Sequence, residues 1–272
     1  MVRSLWTAAT GMIAQQTNVD TIANNLANVN TVGYKTKVNE FKSLLYQNLQ
    51  TKTTSSDGTP KPSSAQVGLG VRNASIDSIF KQGAPQAVQS DTAFAIDGDG
   101  FFAVRGGDGE RKYTRNGNFV WALAGANRIE LTNSDGLPVL SETGQPIRLP
   151  NNYIASRVTV TGDGTICYPD ENNNPQSLGI RIGLYQFNNP SGLDKEGDSL
   201  YTVTNASGPA LNEATNANIS PSKVLQGYLE ASNVQVVDEM VNLIVAQRAY
   251  EMNSKAITAS DEMLQQANAL RR

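Results

Sequence analysis

The acidic, glycine-rich run from Asp97 to Gly100 is the place in the chain that most suggests chemistry. Alternating aspartates begin a calcium-binding loop of the EF-hand type, which needs an oxygen ligand at its fifth position and glycine at its sixth. Phe101 and Phe102 occupy those two positions. The pattern therefore predicts a turn between two strands and no calcium site.

Other reactive groups are scattered along the chain. Asp97, Asp99 and Asp163 are carboxylates of the kind that form a glycosidase pair, but no spacing selects two of them. The run 68–70, Gly-Leu-Gly, lacks the helix and third glycine of a dinucleotide site. Cys167 falls in a predicted strand, which indicates a small packed side chain and not a nucleophile.

The composition argues against catalysis. The 272 residues include no histidine, the commonest general base and metal ligand, and one cysteine, which excludes an intrachain disulfide. The net charge of −3 gives no attraction to nucleic acid. No stretch approaches the roughly 18–20 apolar residues of a membrane-spanning helix. We predict a protein that is not an enzyme, binds no cofactor or metal, and does not insert into a membrane.

The chain begins with a long predicted helix from Ser4 to about Val29. It has no proline, and Gly33 is a plausible terminator. Apolar residues, with the single exception of Gln15, recur at the a and d positions of four heptads. This pattern is typical of a coiled coil. The a positions are Leu5, Met12, Val19 and Leu26, and the d positions are Ala8, Gln15, Ile22 and Val29.

The chain also ends with a long predicted helix. Ser232 and Gln235 have the spacing of a capping box, with Ser232 as N-cap. No glycine or proline follows, so about 36 helical residues would span roughly 54 Å. The apolar positions repeat every seven residues with some widening, at Val236, Leu243, Tyr250, Ile257 and Leu264, and at Met240, Ile244, Ala246 and Ala267.

Two such helices at opposite ends of one chain predict pairing and assembly. A compact central domain could cover one stripe, but not both along their whole length. We therefore expect an antiparallel coiled coil whose weakly charged, amide-rich outer surfaces contact other copies. The predicted assembly seam consists of Leu5, Met12, Val19, Ile22, Leu26, Val29, Val236, Met240, Leu243, Tyr250, Ile257 and Leu264.

The middle of the chain has the alternation of β-strands. Short runs such as 94–96, 102–104 and 180–184 alternate apolar and polar residues between glycine-rich turns, which predicts a mainly antiparallel sandwich or barrel-like body in one or two lobes. The polar segment Gln47–Gln66 predicts an extended or flexible connector, ordered only by neighbours. The predicted fold class is α+β, divided into residues 1–33, 34–70, 71–226 and 227–272.

Long motifs near both ends resemble those of bacterial flagellar rod and hook proteins. They are Thr21–Lys35, Gly227–Val234 and Val245–Ile257, and the runs Ile96–Val104 and Tyr113–Phe119 resemble the start of that family's β domain. Features near residues 4–6, 14–18 and 44–47 favour one rod member, with proximal rod proteins and the hook protein as alternatives. The motif residues are Asn24, Asn25, Asn28, Gly33, Tyr34, Asn233, Gln247, Arg248, Tyr250 and Asn253.

The resemblance implies a structural subunit of the rod, the shaft that joins the flagellar motor to the hook. Its terminal helices would line an inner tube, and the β domain would form an outer layer. Its partners would be further copies in a helical homopolymer, proximal rod and hook proteins at its ends, ring or bushing proteins around it, and the export apparatus. Export without a cleaved signal would place it in the periplasmic basal body, although the N-terminus alone predicts a cytoplasmic protein.

From the sequence alone, two hypotheses that assign the chain to other functional classes of protein remain open. An extracellular β-rich binding protein or adhesin could use the helices to trimerise or dock. A carboxylate-based hydrolase would need two of the scattered aspartates to meet in the fold.

Overall fold

A computed structural model describes residues 2–50, 65–125, 127–170, 174–216 and 219–270. The chain divides into two compact units. The first holds the described residues of 1–27, 37–78 and 235–272, and the second holds those of 28–36 and 79–234. Residues 28–33, predicted to belong with the first helix, thus fall in the second unit, and residues 71–78, predicted in the β body, fall in the first.

The first unit consists of two helices and a long antiparallel ribbon. One side of the ribbon consists of β1 followed by β2, and the other side consists of β3 followed by β4, so that β1 pairs with β4 and β2 pairs with β3. The Leu44 amide donates to the Gly70 carbonyl and the Leu69 amide to the Leu45 carbonyl, which joins the two pairs. The elements are α1 (Val2–Ala27), β1 (Lys37–Ser43), β2 (Tyr46–Gln50), β3 (Ala65–Gly68), β4 (Val71–Ser78) and α2 (Val236–Ala269).

The ribbon changes the interpretation of the polar segment Gln47–Gln66. The described ends of that segment are paired strands of the chain itself, so they need no neighbouring molecule to order them. Residues 51–64 lie outside the described residues. The run 68–70 joins β3 to β4, and a Cβ at Gly70 would meet the Thr10 hydroxyl of α1, so glycine is required for the ribbon to approach the helix.

The predicted capping box of α2 is wrong. The N-cap residue is Gln235, whose side chain makes no cap bond, and the Ser232 hydroxyl accepts from the Val234 amide at 3.3 Å instead. Two acidic residues, Asp238 and Glu239, lie in the first turn. Negative charge there compensates the unpaired amides and the helix dipole, so the helix can begin without a side-chain cap.

The second unit is a β body, and its strand pairs are antiparallel, as predicted. Two short 3-10 helices lie at Ala155–Arg157 and Pro190–Gly192. The strands are β5 (Pro85–Ala87), β6 (Phe94–Asp97), β7 (Phe101–Arg105), β8 (Arg111–Thr114), β9 (Val120–Leu123), β10 (Arg128–Thr132), β11 (Arg148–Pro150), β12 (Thr159–Val160), β13 (Thr165–Pro169), β14 (Pro175–Arg181), β15 (Leu184–Gln186), β16 (Asp194–Lys195), β17 (Leu200–Thr202), β18 (Leu211–Asn212), β19 (Lys223–Gln226) and β20 (Tyr228–Glu230).

The largest sheet of the body has six strands in the order β16-β17-β8-β7-β15-β18. Strand β7 is buried on both faces: Phe102 and Val104 pack in one hydrophobic cluster, and Phe101 and Ala103 pack in another. The predicted strand over 180–184 is interrupted, because β14 ends at Arg181 and β15 begins at Leu184 in a different sheet. The body therefore has two cores that share a strand.

A buried charge cluster lies where the chain enters and leaves the β body. The Lys35 ammonium donates to Glu230 Oε1 at 2.6 Å, and Arg115 Nη1 donates to Glu230 Oε2 at 3.3 Å. The Gly83 amide also donates to Glu230 Oε1, at 2.8 Å. All three charged side chains are 1–2% exposed, and desolvation lowers the pKa of Lys35 although the Glu230 charge opposes that shift.

The same place is tied by backbone and amide bonds. The Gly33 amide donates to the Glu230 carbonyl at 2.8 Å, with Gly33 at a φ of +68°. A Cβ on Gly33 would lie 2.7 Å from the Arg115 carbonyl carbon, so no other residue fits. The Asn233 side chain accepts from the Thr36 amide and hydroxyl, both at 2.7 Å. Residues 33–36 and 230–233 are therefore held side by side inside one unit.

We predict that Glu230→Gln destabilises the β body by about 3–5 kcal/mol, because it leaves two buried cations without their anion. Urea unfolding followed by tryptophan fluorescence, in a Trp6→Phe background, measures the loss of stability. Trp121 is then the one tryptophan left, so the signal reports the second unit alone. Glu196→Gln is the matched control: Glu196 pairs with Lys112 at 2.6 Å, but it is 42% exposed and should cost about 1 kcal/mol or less. An equal decrease in the free energy of unfolding in the two variants would contradict the prediction.

Candidate assembly surface

Helices α1 and α2 pair antiparallel within the first unit. The Ser4 and Ser260 hydroxyls lie 3.3 Å apart, and a Cβ on Gly11 would lie 2.9 Å from Asn253 Nδ2. A step of seven residues along α1 thus matches a step of seven back along α2. The helices therefore pair antiparallel, while their pairing as a coiled coil stays a prediction.

The contact layers of the pair are made of small and polar side chains. Small side chains allow two helix backbones to approach closely, but they bury little apolar area and so stabilise the pair weakly. The buried residues on the two helices are Ala8, Ala14, Thr21, Ile22 and Asn25 of α1 and Glu239, Ala246 and Ser260 of α2.

The residues predicted for the assembly seam are distributed around this contact. Ile22 is buried, while Leu5, Met12, Val19, Leu26, Leu243, Ile257 and Leu264 are half-buried at its flanks. Val236, Met240 and Tyr250 are exposed. Val29 lies beyond the end of α1, in the second unit. Of the predicted seam residues on the two helices, Ile22 alone is thus fully buried in the helix contact.

A polar layer closes the pair near the end of α1. Asn25 Nδ2 donates to Glu239 Oε1 at 3.1 Å and to the Lys37 carbonyl at 2.8 Å, and Asn25 Oδ1 accepts from the Lys37 amide at 2.9 Å. Asn25 is 1% exposed and Glu239 is 8% exposed. Burial raises the pKa of the Glu239 carboxyl, and the Asn25 hydrogen bond opposes that rise. One asparagine therefore joins α1, α2 and β1.

The opposite side of α2 carries an exposed apolar stripe. At 100° per residue its members fall within one arc, roughly opposite the face that holds Glu239 and Ala246. Each member is 53–73% exposed, and apolar patches of this kind mark interaction sites on soluble proteins. We call this surface the α2 stripe; it consists of Val237, Met240, Val241, Ile244, Val245 and Met252.

Exposed apolar side chains also occur elsewhere in the first unit. Trp6 and Ile13 are separated by seven residues and point away from the α2-facing side of α1. On the ribbon, Leu45, Tyr46 and Leu49 are exposed. The first unit therefore presents apolar groups on both helices and on the ribbon.

The family-motif residues divide between packing and exposure. Asn25, Gly33 and Tyr34 are buried, and the Lys195 ammonium lies 4.4 Å from the centre of the Tyr34 ring. Asn28, Asn233 and Asn253 are half-buried. The remaining motif residues are exposed and lie on the two helices: Asn24, Gln247, Arg248 and Tyr250.

Sequence reasoning missed the charge cluster and most of the α2 stripe. Lys35 and Glu230 are 195 residues apart, so nothing local links them. The α2 stripe had a signal, because residues 236–246 are apolar on almost every side of the helix. A helix that is apolar all round is buried on more than one side, and that inference would have found Val237, Val241 and Val245.

The residues first suspected of chemistry have structural positions. Residues 98–100 form the turn between β6 and β7, and Gln82 Nε2 donates to Asp97 Oδ1. Cys167 is buried in β13. Within the described residues, no three His, Cys, Asp or Glu side chains gather as metal ligands would. The described helices include none with the length and apolarity needed to cross a membrane.

Three family models match the chain. "Flagella basal body rod protein" matches residues 5–35, "Flagellar hook protein FlgE/F/G D1 domain" matches residues 95–168, and "Flagellar basal body rod FlgEFG protein C-terminal" matches residues 225–270. These ranges cover most of α1, the strands from β6 to β13, and α2.

Curated relatives match over the full length. "Flagellar basal-body rod protein FlgG" of Borreliella burgdorferi is 44% identical, over 100% of both chains, and that of Caulobacter vibrioides is 42% identical, over 99% of this chain and 100% of the relative. "Flagellar hook-basal body complex protein FlhP" of Bacillus subtilis is 32% identical, over 100% of both chains. The predicted resemblance is confirmed: the chain belongs to the family of flagellar basal-body rod proteins.

Proposed function

We propose that this chain is a structural subunit of the bacterial flagellar distal rod. It polymerises through α1 and α2 into a stiff tubular shaft that transmits motor torque to the hook. Full-length similarity to proteins named FlgG supports the rod assignment. The runs 4–6 and 14–18 and the segment before Gly68 support the distal member over the proximal rod and hook proteins.

The α2 stripe is the observation that carries this proposal. Six large apolar side chains stay exposed on α2, although the helix pair is already formed through its small and polar face. Burying the exposed parts of six such side chains is worth on the order of 5–10 kcal/mol before the costs of association. A monomer leaves that free energy unused, whereas a polymer gains it at every subunit contact.

The distribution of apolar groups suits a helical polymer. A contact between two different surfaces of identical subunits is heterologous, and it generates an open helix when the rotation does not close. The α2 stripe lies on one outer side of the helix pair, and Trp6 and Ile13 of α1 face away from α2. The two surfaces therefore differ, as a heterologous contact requires.

The remaining assignments follow from the rod function. The helix pair forms a coiled coil that lines the inner tube, with the half-buried seam residues at its flanks, and the β body forms the outer layer. The ribbon and the segment Gln47–Gln66 stiffen the shaft. The chain works in the periplasmic basal body, is exported without a cleaved signal, contacts proximal rod, hook and ring proteins, and catalyses no reaction.

We predict that Ile244→Asp abolishes polymerisation, because it places an uncompensated charge in a buried contact. Leu243→Asp, on the side of α2 that faces α1, should have the same effect. Sedimentation and electron microscopy of purified protein measure tube formation. Val120→Asp is the matched control, since Val120 is 54% exposed on β9 of the second unit, and this variant should form normal tubes. Normal tubes from Ile244→Asp, or trimers in place of tubes from the parent chain, would refute the proposal.

We also predict that the amides of α2 exchange rapidly in the monomer and become protected in the polymer. An isolated helix pair with small and polar contacts is marginal in water. Amide hydrogen exchange on both states measures this, with β7 as an internal reference that is protected in each. Strong protection of residues 236–264 in the monomer would contradict it.

A further inference from the structure

The contact layers of the helix pair leave its register poorly determined. Ser4 faces Ser260, Gly11 faces Asn253 and, by the same spacing, Ala246 faces Asn18, so each of these layers includes a small residue. Sliding α2 by one heptad would place Gly11 opposite Ala246 or Ser260, which are also small, so packing at that layer distinguishes the arrangements weakly. The close approach of Asn253 to Gly11 adds little, because the amide end of Asn253 can rotate away.

The Asn25–Glu239 layer is the exception to this uniformity. Asn25 is held by two bonds to the backbone of Lys37, and these leave one N–H of its amide for another acceptor. Glu239 Oε1 accepts that N–H at 3.1 Å, in a site where Asn25 is 1% and Glu239 is 8% exposed. The Asn25 amide is therefore oriented in advance toward one position on α2.

A slip of one heptad would break this layer in either direction. In one direction Ala246 would face Asn25, and Glu239 would lie opposite residue 32, beyond the end of α1. In the other direction Glu239 would face Asn18, and Asn25 would lie opposite residue 232, before the start of α2. Either slip leaves the buried N–H of Asn25 without its acceptor, which is costly in a site closed to water.

We propose that the Asn25–Glu239 hydrogen bond, together with the bonds that hold residues 33–36 beside 230–233, sets the register of α1 against α2, and so determines which subunit surfaces are aligned for polymerisation. A buried polar pair of this kind selects one alignment at some expense of stability, as single buried polar residues do in coiled coils. Among the described residues, no group donates a hydrogen bond to the buried Glu239 Oε2, so the layer forgoes one bond there. The proposal rests on the helix pairing that the proposed function uses.

Disulfide trapping tests the register directly. In a Cys167→Ser background, Ser4→Cys with Ser260→Cys reports the native register, because the two hydroxyls are 3.3 Å apart. Ser4→Cys with Asn253→Cys, or with Ala267→Cys, reports a slip of one heptad in either direction. The cysteine-bearing chain is polymerised as a minor fraction within an excess of cysteine-free parent chain, so the surrounding tube orders it. On a non-reducing gel, the intensity of the oxidised monomer band measures intrachain disulfides only, because interchain disulfides give dimers.

The variant to test is Glu239→Leu, which removes the acceptor and keeps an apolar side chain of similar size. We expect the ratio of native to slipped disulfide to fall at least about tenfold. Glu239→Gln keeps an acceptor for Asn25 and should retain the parent ratio. Asp238→Leu makes the same chemical change on an exposed neighbouring residue and is the matched control.

Each outcome decides the matter. A parent ratio in Glu239→Leu, or a fall of equal size in Asp238→Leu, overturns the proposal. If Glu239→Leu chains are excluded from tubes, the ratio is read in the soluble fraction against the parent pair, in sulfate, which favours burial and so pairs the helices in the monomer. An unchanged ratio there also overturns the proposal. If the parent chain forms no tubes, the polymer proposal fails, while the same soluble measurement in sulfate still reports the register.

Discussion

The carboxylate of Glu230 is the group on which the β body depends. It is shared by Lys35, Arg115 and the amide of Gly83, with all three charged side chains out of water. Removing three charges from water is costly, so such a cluster adds little net stability, but breaking it by one substitution is severe. It closes a loop of 195 residues and holds the entering and leaving segments of the β body together. The two cores and the shared strand β7 lie within that loop.

The two units divide the sources of stability between them. The β body buries Phe101 and Phe102 on opposite faces of one strand and has its own cores, so its stability belongs to the single chain. The helix pair instead meets through residues such as Ala246 and Ser260, and leaves its large side chains in the α2 stripe outside. A subunit built this way can be folded in its body before assembly and gain the stability of its helices from its neighbours.

The two long terminal helices were predictable, but which residues lie between them was not. The contacts of Ser4 with Ser260 and of Gly11 with Asn253 are seven residues apart on both helices, and pairing as a coiled coil stays a prediction. The prediction of which face is inside assumed that large apolar residues pack in the contact, but here close approach of the backbones favours small ones. The capping box failed because its pattern is satisfied by many turns, and Ser232 makes a local bond to Val234 instead. Contacts between residues far apart in sequence, such as Lys35 with Glu230, leave no trace in a local pattern.

The asparagines of the terminal motifs act as substitutes for backbone. A side-chain amide carries one donor group and one acceptor, as a peptide unit does, so it can pair with a strand where no neighbouring strand exists. The Asn25 side chain accepts a hydrogen bond from the Lys37 amide and donates one to the Lys37 carbonyl, as a paired β residue would. Asn233 accepts from the Thr36 amide and donates to the carbonyls of Ile79 and Lys81. Alanine at either position would leave peptide groups unpaired, and aspartate would lose the donor. The side-chain amides are therefore required by the peptide groups of residues 36, 37, 79 and 81 that they pair, independently of polymerisation.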